Sequence, residues 1–441
     1  MFFKKNLMMV IAIVLTLGMV VGCSNNDNNK QTTDGDKTET VDNKDDNKKD
    51  DGKKDEVQTL DIAIVADPDN MISTIAEQFM KDNPNIKVEV NAIGQDYENV
   101  LKIKMASNQL PDIFETHGWS QVRYGKYLAD LRDESWVGRL SESIKPAVID
   151  NDGKVYALPV DQEKTGMVYN AGLLEEYGVD VPTTYAQLLE ACETIKTKSG
   201  GKVTPIHLAG KDSWPVGFFF DFFATPSFIS MEDNYGEQLK DGSFDWNNFT
   251  PLPAKFLELY KKGYLNEDVL TAGYTDSAMA FGNNEVAFAV YGPYLIQEAK
   301  KTNPDIKGGI MPVPAIAEGD THTFVGGERF SIGVWKDSKS VDAAKLFLEY
   351  CARPENAKKI CEFNAVPSGL NDVEVDLGDL TSYYDSYKDV RIFPYFDRVY
   401  LPNGMWDTMC KNGQDLLAGA ITPEQFSENM EKEYIRLRNV K

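Results

Sequence analysis

Apolar positions along this chain switch between a two-residue and a 3.6-residue period, and the order of the switches predicts an α/β protein. Leu60 to Ala66 is a continuous apolar run of the kind that forms a buried strand. Ile72, Ile75, Ala76, Phe79 and Met80 then recur at helical spacing until Asn83-Pro84 stops them. Ile86, Val88 and Val90 alternate as a half-buried strand, and a helix from Asp96 to Asn108 leads to a third strand, Leu110 to Phe114. Such alternation predicts mostly parallel sheets with helices on both faces. Ligands of these sheets gather at the carboxyl ends of the strands, which points at Asp67 to Asn70 and at Thr116 to Ser120.

Several stretches read as crossings between two cores. Tyr156 to Val160 is apolar, Asp161-Gln162-Glu163-Lys164 is charged and predicted to pass through solvent, and Thr165 to Tyr169 resumes as a strand. Glu285 to Tyr291 is a buried strand of the same kind, ending in Gly292-Pro293-Tyr294. Val325-Gly326-Gly327-Glu328-Arg329 reads as a return crossing and Val366 to Gly369 as another. The paired glycines suit either the close approach of a ligand or backbone, or a turn needing positive φ. Most of the block Phe218 to Phe223 must be core, because helical or strand spacing turns only one or two of its rings outward. From Val366 to the end the pattern is helical, interrupted by an aromatic, proline-rich loop, Phe393 to Trp406.

The N-terminus changes the picture by giving the chain an address. Lys4 and Lys5 precede an apolar run from Leu7 to Val21 that ends in Gly22-Cys23, the pattern of a lipoprotein signal peptide over residues 1–22. Cys23 would become an acylated N-terminus that holds the protein on the membrane surface without spanning it. Residues 23–56 are nearly all polar and read as a disordered tether. The remainder fits two lobes of roughly 190 residues each.

A formal net charge of −23 argues against a nucleic-acid partner and against anionic lipid head groups. Cys192, Cys351, Cys361 and Cys410 include no CxxC pair, and His117, His207 and His322 lack metal-ligand spacing, so no metal and no cofactor is called for. No nucleophile elbow or phosphate loop is present, which favours a binding protein over an enzyme.

Taken together, LDIAIVADPDN from Leu60, LPDIFETHGW from Leu110, YALPVDQEKTGMVYN from Tyr156, Val181 to Tyr185, the strand into Gly292-Pro293-Tyr294, and Ser338 to Pro367 resemble the extracellular solute-binding lipoproteins of ABC sugar importers, the group that includes the maltodextrin-binding proteins. The resemblance spans Leu60 to Lys441. It implies a type II periplasmic-binding-protein-like fold, with a ligand cleft between an N-terminal lobe (57–161 plus 322–366) and a C-terminal lobe (162–321 plus 367–441). It implies a carbohydrate ligand, permease subunits as partners, and a monomer on the outer face of the bacterial membrane. Matched position by position, it places Trp119, Ser120, Glu163, Trp214, Tyr294 and Trp406 in the cleft.

A sugar ring has an apolar C–H face and a rim of hydroxyls, so aromatic plates and paired polar groups suit it. Asp161, Glu163, Asp212 and Arg329 could serve that rim, and Gly327 could let a ligand approach. The same residues also fit structural roles: Trp119 and Trp406 in lobe cores, Asp161 and Glu163 capping the hinge, Arg329 in a surface ion pair. A polyamine would suit an acidic protein with aromatic plates, Tyr383-Tyr384 raises ferric iron, and carboxylates beside aromatic residues also describe a glycosidase.

Overall fold

The computed structural model describes residues 57–67 and 70–439. The expected signal peptide, Cys23 and the tether lie outside them, as does part of the loop after the first strand.

Twelve strands run through the described residues: β1 (Gln58–Ile64), β2 (Ile86–Ala92), β3 (Ile113–Glu115), β4 (Leu158–Pro159), β5 (Gln162–Thr165), β6 (Met167–Asn170), β7 (Thr204–His207), β8 (Val286–Ala289), β9 (Gly308–Met311), β10 (Phe324–Glu328), β11 (Ser331–Val334) and β12 (Ile392–Pro394). One sheet has the order β2-β1-β3-β11-β4 and another β7-β8-β6-β9; a small sheet, β12-β10-β5, connects them. The first is packed by helices Met71–Asp82 and Val341–Cys351, whose Phe79 and Phe347 meet edge to face at 5.2 Å. The second carries the aromatic helix Trp214–Ala224 and helix Tyr185–Lys198, which buries Leu188, Cys192 and Ile195 behind a Thr184–Gln187 capping box. That box satisfies amides the first helical turn leaves without partners.

Both large sheets are mixed rather than mostly parallel. β1 pairs parallel with β2 and β3, and β7 with β8, as helical crossovers require. The antiparallel pairs are those of β11 with β3 and β4, and of β6 with β8 and β9. These strands enter from the connecting region without a helical crossover, so nothing forces them into the parallel direction.

The expectation that Asp161 to Lys164 pass through solvent is wrong. Asp161, Gln162, Glu163 and Lys164 are buried, none above 9 % exposed. They are buried because β5 pairs antiparallel with β10, Glu163 opposite Gly327 and Lys164 opposite Gly326, so the ladder satisfies the backbone. A Cβ on Gly326 would collide with the Glu163 carbonyl oxygen, so this glycine serves close backbone approach.

The aromatic block follows expectation: Phe219, Phe220, Phe222 and Phe223 are buried and only Phe218 is half-exposed. The stretch Phe393 to Trp406, expected as a loop, instead contributes to β12 and forms the short helix Phe396–Tyr400 before helix Met405–Leu417 begins. Cys192, Cys351, Cys361 and Cys410 are buried free thiols.

Candidate functional site

The crossing strand β5 places the first functional side chain. Successive side chains of a strand point to opposite faces, so Glu163 leaves on the side away from Gln162 and Lys164. Gln162 accepts from Ser141 Oγ at 2.8 Å and Lys164 Nζ donates to the Tyr387 carbonyl at 3.0 Å, fixing that face. On the other, the Tyr395 hydroxyl donates to Glu163 Oε2, while Glu163 Oε1 has no hydrogen-bond partner. Burial raises the Tyr395 phenol well above its ordinary value, and the Glu163 charge adds to it, so the phenol stays a donor.

Asp161 is also buried. It accepts from Phe330 N at 2.6 Å, Asn364 Nδ2 at 2.8 Å and Arg329 Nη1 at 3.2 Å. Burial pushes the Asp161 carboxyl up, and Arg329, the Phe330 amide and Asn364 oppose that. Three donors converging on one carboxylate fit its ionised form, and the Arg329 guanidinium is correspondingly raised: burial alone would lower it, but Asp161 and Glu163 more than offset this.

From Arg329 an aromatic chain runs around the site. The guanidinium lies 5.7 Å from the Tyr294 ring centre, Tyr294 is 6.1 Å from Tyr274, and Tyr274 is 5.4 Å from Trp214. Trp214 meets Phe218 at 5.3 Å, Phe218 meets Trp406 at 5.7 Å, and Trp406 meets Trp119 at 6.3 Å. Arg398 closes the ring, its guanidinium 4.7 Å from Trp119 and 3.9 Å from Tyr395, which returns to Glu163. Gly118 makes room for it: at φ 87° it adopts a conformation that favours glycine, and a Cβ there would strike the guanidinium.

Behind the rings stands a polar wall. Trp119 Nε1 donates to Asp397 Oδ2 at 3.0 Å, and Ser120 donates through N and Oγ to Glu328 Oε1 at 3.1 and 2.7 Å. Arg123 stacks 4.1 Å from the Trp119 ring and pairs with Glu98. Burial would raise the Glu98 carboxyl, but His117 and Arg123 win and hold it down at about 2.

Of the residues expected from sequence, the structure therefore gathers Trp119, Asp161, Glu163, Trp214, Tyr294, Arg329 and Trp406 along one circuit. Ser120 and Gly327 sit behind it: Ser120 is fully buried against Glu328, and a Cβ on Gly327 would come within 3.2 Å of Tyr395. Asp212 stands apart, exposed, its carboxylate accepting from Tyr274 N at 2.6 Å at the start of helix Tyr274–Gly282. Tyr383 packs edge-on against Tyr169 at 6.0 Å and Tyr384 is buried in the same region. The residues missed are Phe218, Tyr274, Tyr395, Asp397 and Arg398, three of them in the stretch expected to be a loop. The cluster YFDR from Tyr395, two ionisable residues behind two rings, was the available signal.

A cavity of about 120 Å³ lies beside Arg329, lined by Glu115, His117, Phe330 and Asn364 among others. That is below the roughly 300–1,000 Å³ of ordinary ligand pockets. Of the circuit, only Arg329 lines this cavity. The circuit offers flat apolar faces, a Glu163 carboxylate oxygen without a hydrogen-bond partner, and an Arg398 Nε that has an ion-pair neighbour in Asp397 at 3.9 Å but no hydrogen bond. An open acceptor and an open donor beside the same Tyr395 ring suit a neutral molecule bearing both hydroxyls and apolar faces better than a polycation.

The chain matches the family of bacterial extracellular solute-binding proteins over residues 66–358. It is 40% identical over 365 residues to the melibiose/raffinose/stachyose-binding protein MelE of Bacillus subtilis, covering 82% of this chain and 85% of that one. It is 23% identical to the multiple sugar-binding protein of Streptococcus mutans over 70% of this chain and 74% of that protein. Among solved structures, a sugar transporter from Bacillus licheniformis in complex with stachyose superposes with a TM-score of 0.79 at 43% identity, covering 86% of this chain and all of that one. The chain belongs to the bacterial extracellular solute-binding proteins, in the group that serves sugar-importing ABC transporters.

Proposed function

We propose that the chain captures an oligosaccharide of the melibiose, raffinose and stachyose type between its lobes and hands it to a membrane permease without altering it. The observation that carries this reading is the closed circuit from Glu163 through Tyr294, Trp214, Trp406, Trp119 and Arg398 to Tyr395. The sugars named for MelE share a galactosyl end and differ in length, so a site for them needs several plates in series. The rings stack on the sugar faces, and Glu163 Oε1 and Arg398 Nε bond to hydroxyls. Charge-assisted bonds of this kind contribute roughly 1.5–3 kcal/mol each.

The lobes hinge, in this proposal, at residues 161/162, 321/322 and 366/367. Two observations support the placement: β5 pairs with β10, and Asp161 bridges to Ser368, so the crossings lie side by side. A solute that touches both lobes shifts the population toward closure. Lipidation at Cys23 keeps the chain, as a monomer, on the outer face of the membrane; its support is the sequence pattern alone, and loss of radiolabelled palmitate from a Cys23→Ser chain would test it.

A thermal-shift panel tests the ligand class. At 100 times Kd a ligand stabilises the native state by about 2.7 kcal/mol, a shift of several degrees. Melibiose, raffinose and stachyose should give that shift and spermidine none; a shift with spermidine alone would overturn the reading. Recovery of radiolabelled raffinose unchanged after long incubation supports a carrier, and cleavage would identify an enzyme.

A further inference from the structure

Asp221 is the only ionisable residue of the aromatic helix Trp214–Ala224 and is 0 % exposed. Its Oδ1 accepts from Asp397 N at 2.7 Å, and its Oδ2 faces no donor among the described residues. Its carboxyl is within hydrogen-bonding reach of the Asp397 carboxyl. Asp397 also accepts from Trp119 Nε1 at 3.0 Å, and its Oδ1 lies 3.9 Å from Arg398 Nε. Asp397 thus joins two members of the circuit, and Asp221 lies directly behind it.

Two neighbouring carboxylates shielded from water, one of them already bonded to the other residue's backbone N, cannot both ionise cheaply, so the pair holds a proton. The surrounding charges decide where. Arg398 and, farther off, Arg123 face Asp397, while Glu98 and His117 lie beyond Arg123. From helix Met405–Leu417, Cys410 presents a thiol that burial and the nearby carboxylates push up, so it stays neutral. The cations favour charge on Asp397, which leaves the proton to Asp221. Burial, with the Asp397 charge added, raises the Asp221 carboxyl well above its ordinary value.

We propose that Asp221 is a positioning residue of the solute site: as a neutral acid it donates from Oδ2 to the Asp397 carboxylate and so holds Trp119 and Arg398 in the geometry the solute meets. This rests on the reading of those two residues as solute-facing. Asp221→Asn keeps a donor and an acceptor in the same places at every pH; Asp221→Ala keeps neither.

Two measurements test it. In raffinose titrations at pH 6 the Asn variant should bind as wild type does and the Ala variant about tenfold more weakly; an Ala variant that binds as tightly as wild type overturns the proposal. Without ligand, a native carboxyl that keeps its proton costs stability increasingly as the pH rises above about 3.9, where an unfolded aspartate ionises. The Tm of Asp221→Asn should therefore gain on wild type from pH 5 to pH 8. A constant Tm gap overturns the proposal even if raffinose binds; a widening gap with no sugar bound overturns the sugar reading alone.

Discussion

The Tyr395 hydroxyl donates to one oxygen of Glu163 and leaves the other oxygen of that buried carboxylate without a hydrogen-bond partner. A buried acceptor left open is costly, about 1–3 kcal/mol, unless something else fills it. Glu163→Gln should weaken raffinose binding about 10- to 100-fold, because it removes the charge from that bond. Titration calorimetry reads the affinity and circular dichroism confirms an unchanged fold; equal affinity would return Glu163 to a purely structural role at the hinge.

Trp406 is half-buried between Phe218 and Trp119, so it can face a solute. Trp406→Ala should lower raffinose affinity about tenfold, and Trp406→Phe, which keeps a flat ring, by much less. If Ala and Phe cost the same, size rather than stacking is what the position supplies.

Arg329→Ala tests the other side of the hinge. Asp161 is fully buried and would lose its only cationic partner among the described residues. The Phe330 amide and Asn364 remain, so the loss should be about 2 kcal/mol rather than that of a wholly orphaned charge. Urea unfolding measures it. Arg329→Ala combined with Asp161→Asn should recover part of the loss; no recovery would mean that the guanidinium stabilises through something other than Asp161.

Glu98, held down at about 2 by His117 and Arg123, sets an acid limit. A depressed folded value stabilises above the unfolded carboxylate range, near 4.3, and that contribution drains away as the pH falls toward 2. Wild type should lose about 1–3 kcal/mol more than Glu98→Gln between pH 5 and pH 2.5. Melting curves over that range check it, and parallel curves would contradict the assignment.

How far these sites were legible in the sequence depends on the kind of signal. Periodicity located Met71–Asp82, because one apolar face dominates it, and the density of rings marked Phe218 to Phe223 as core while leaving helix or strand open. It misjudged β5, whose charged side chains look like solvent-exposed chain until β10 and its glycines are brought alongside; that pairing joins segments some 160 residues apart. Trp119, Trp214, Tyr294 and Trp406 were found through family resemblance. Tyr395, Asp397 and Arg398 were missed because a five-residue helix carries no periodic signal. What brings them to the site is contact with Glu163, Trp119 and Asp221, and short sequence windows do not encode contacts of that range.

The most direct measurement of the central claim is a calorimetric titration of the intact protein with raffinose. One site per chain is expected, with micromolar or tighter affinity and a negative heat-capacity change as the rings bury the apolar sugar faces. No heat and no competition with melibiose or stachyose at millimolar sugar, from a protein shown to be folded, would contradict it.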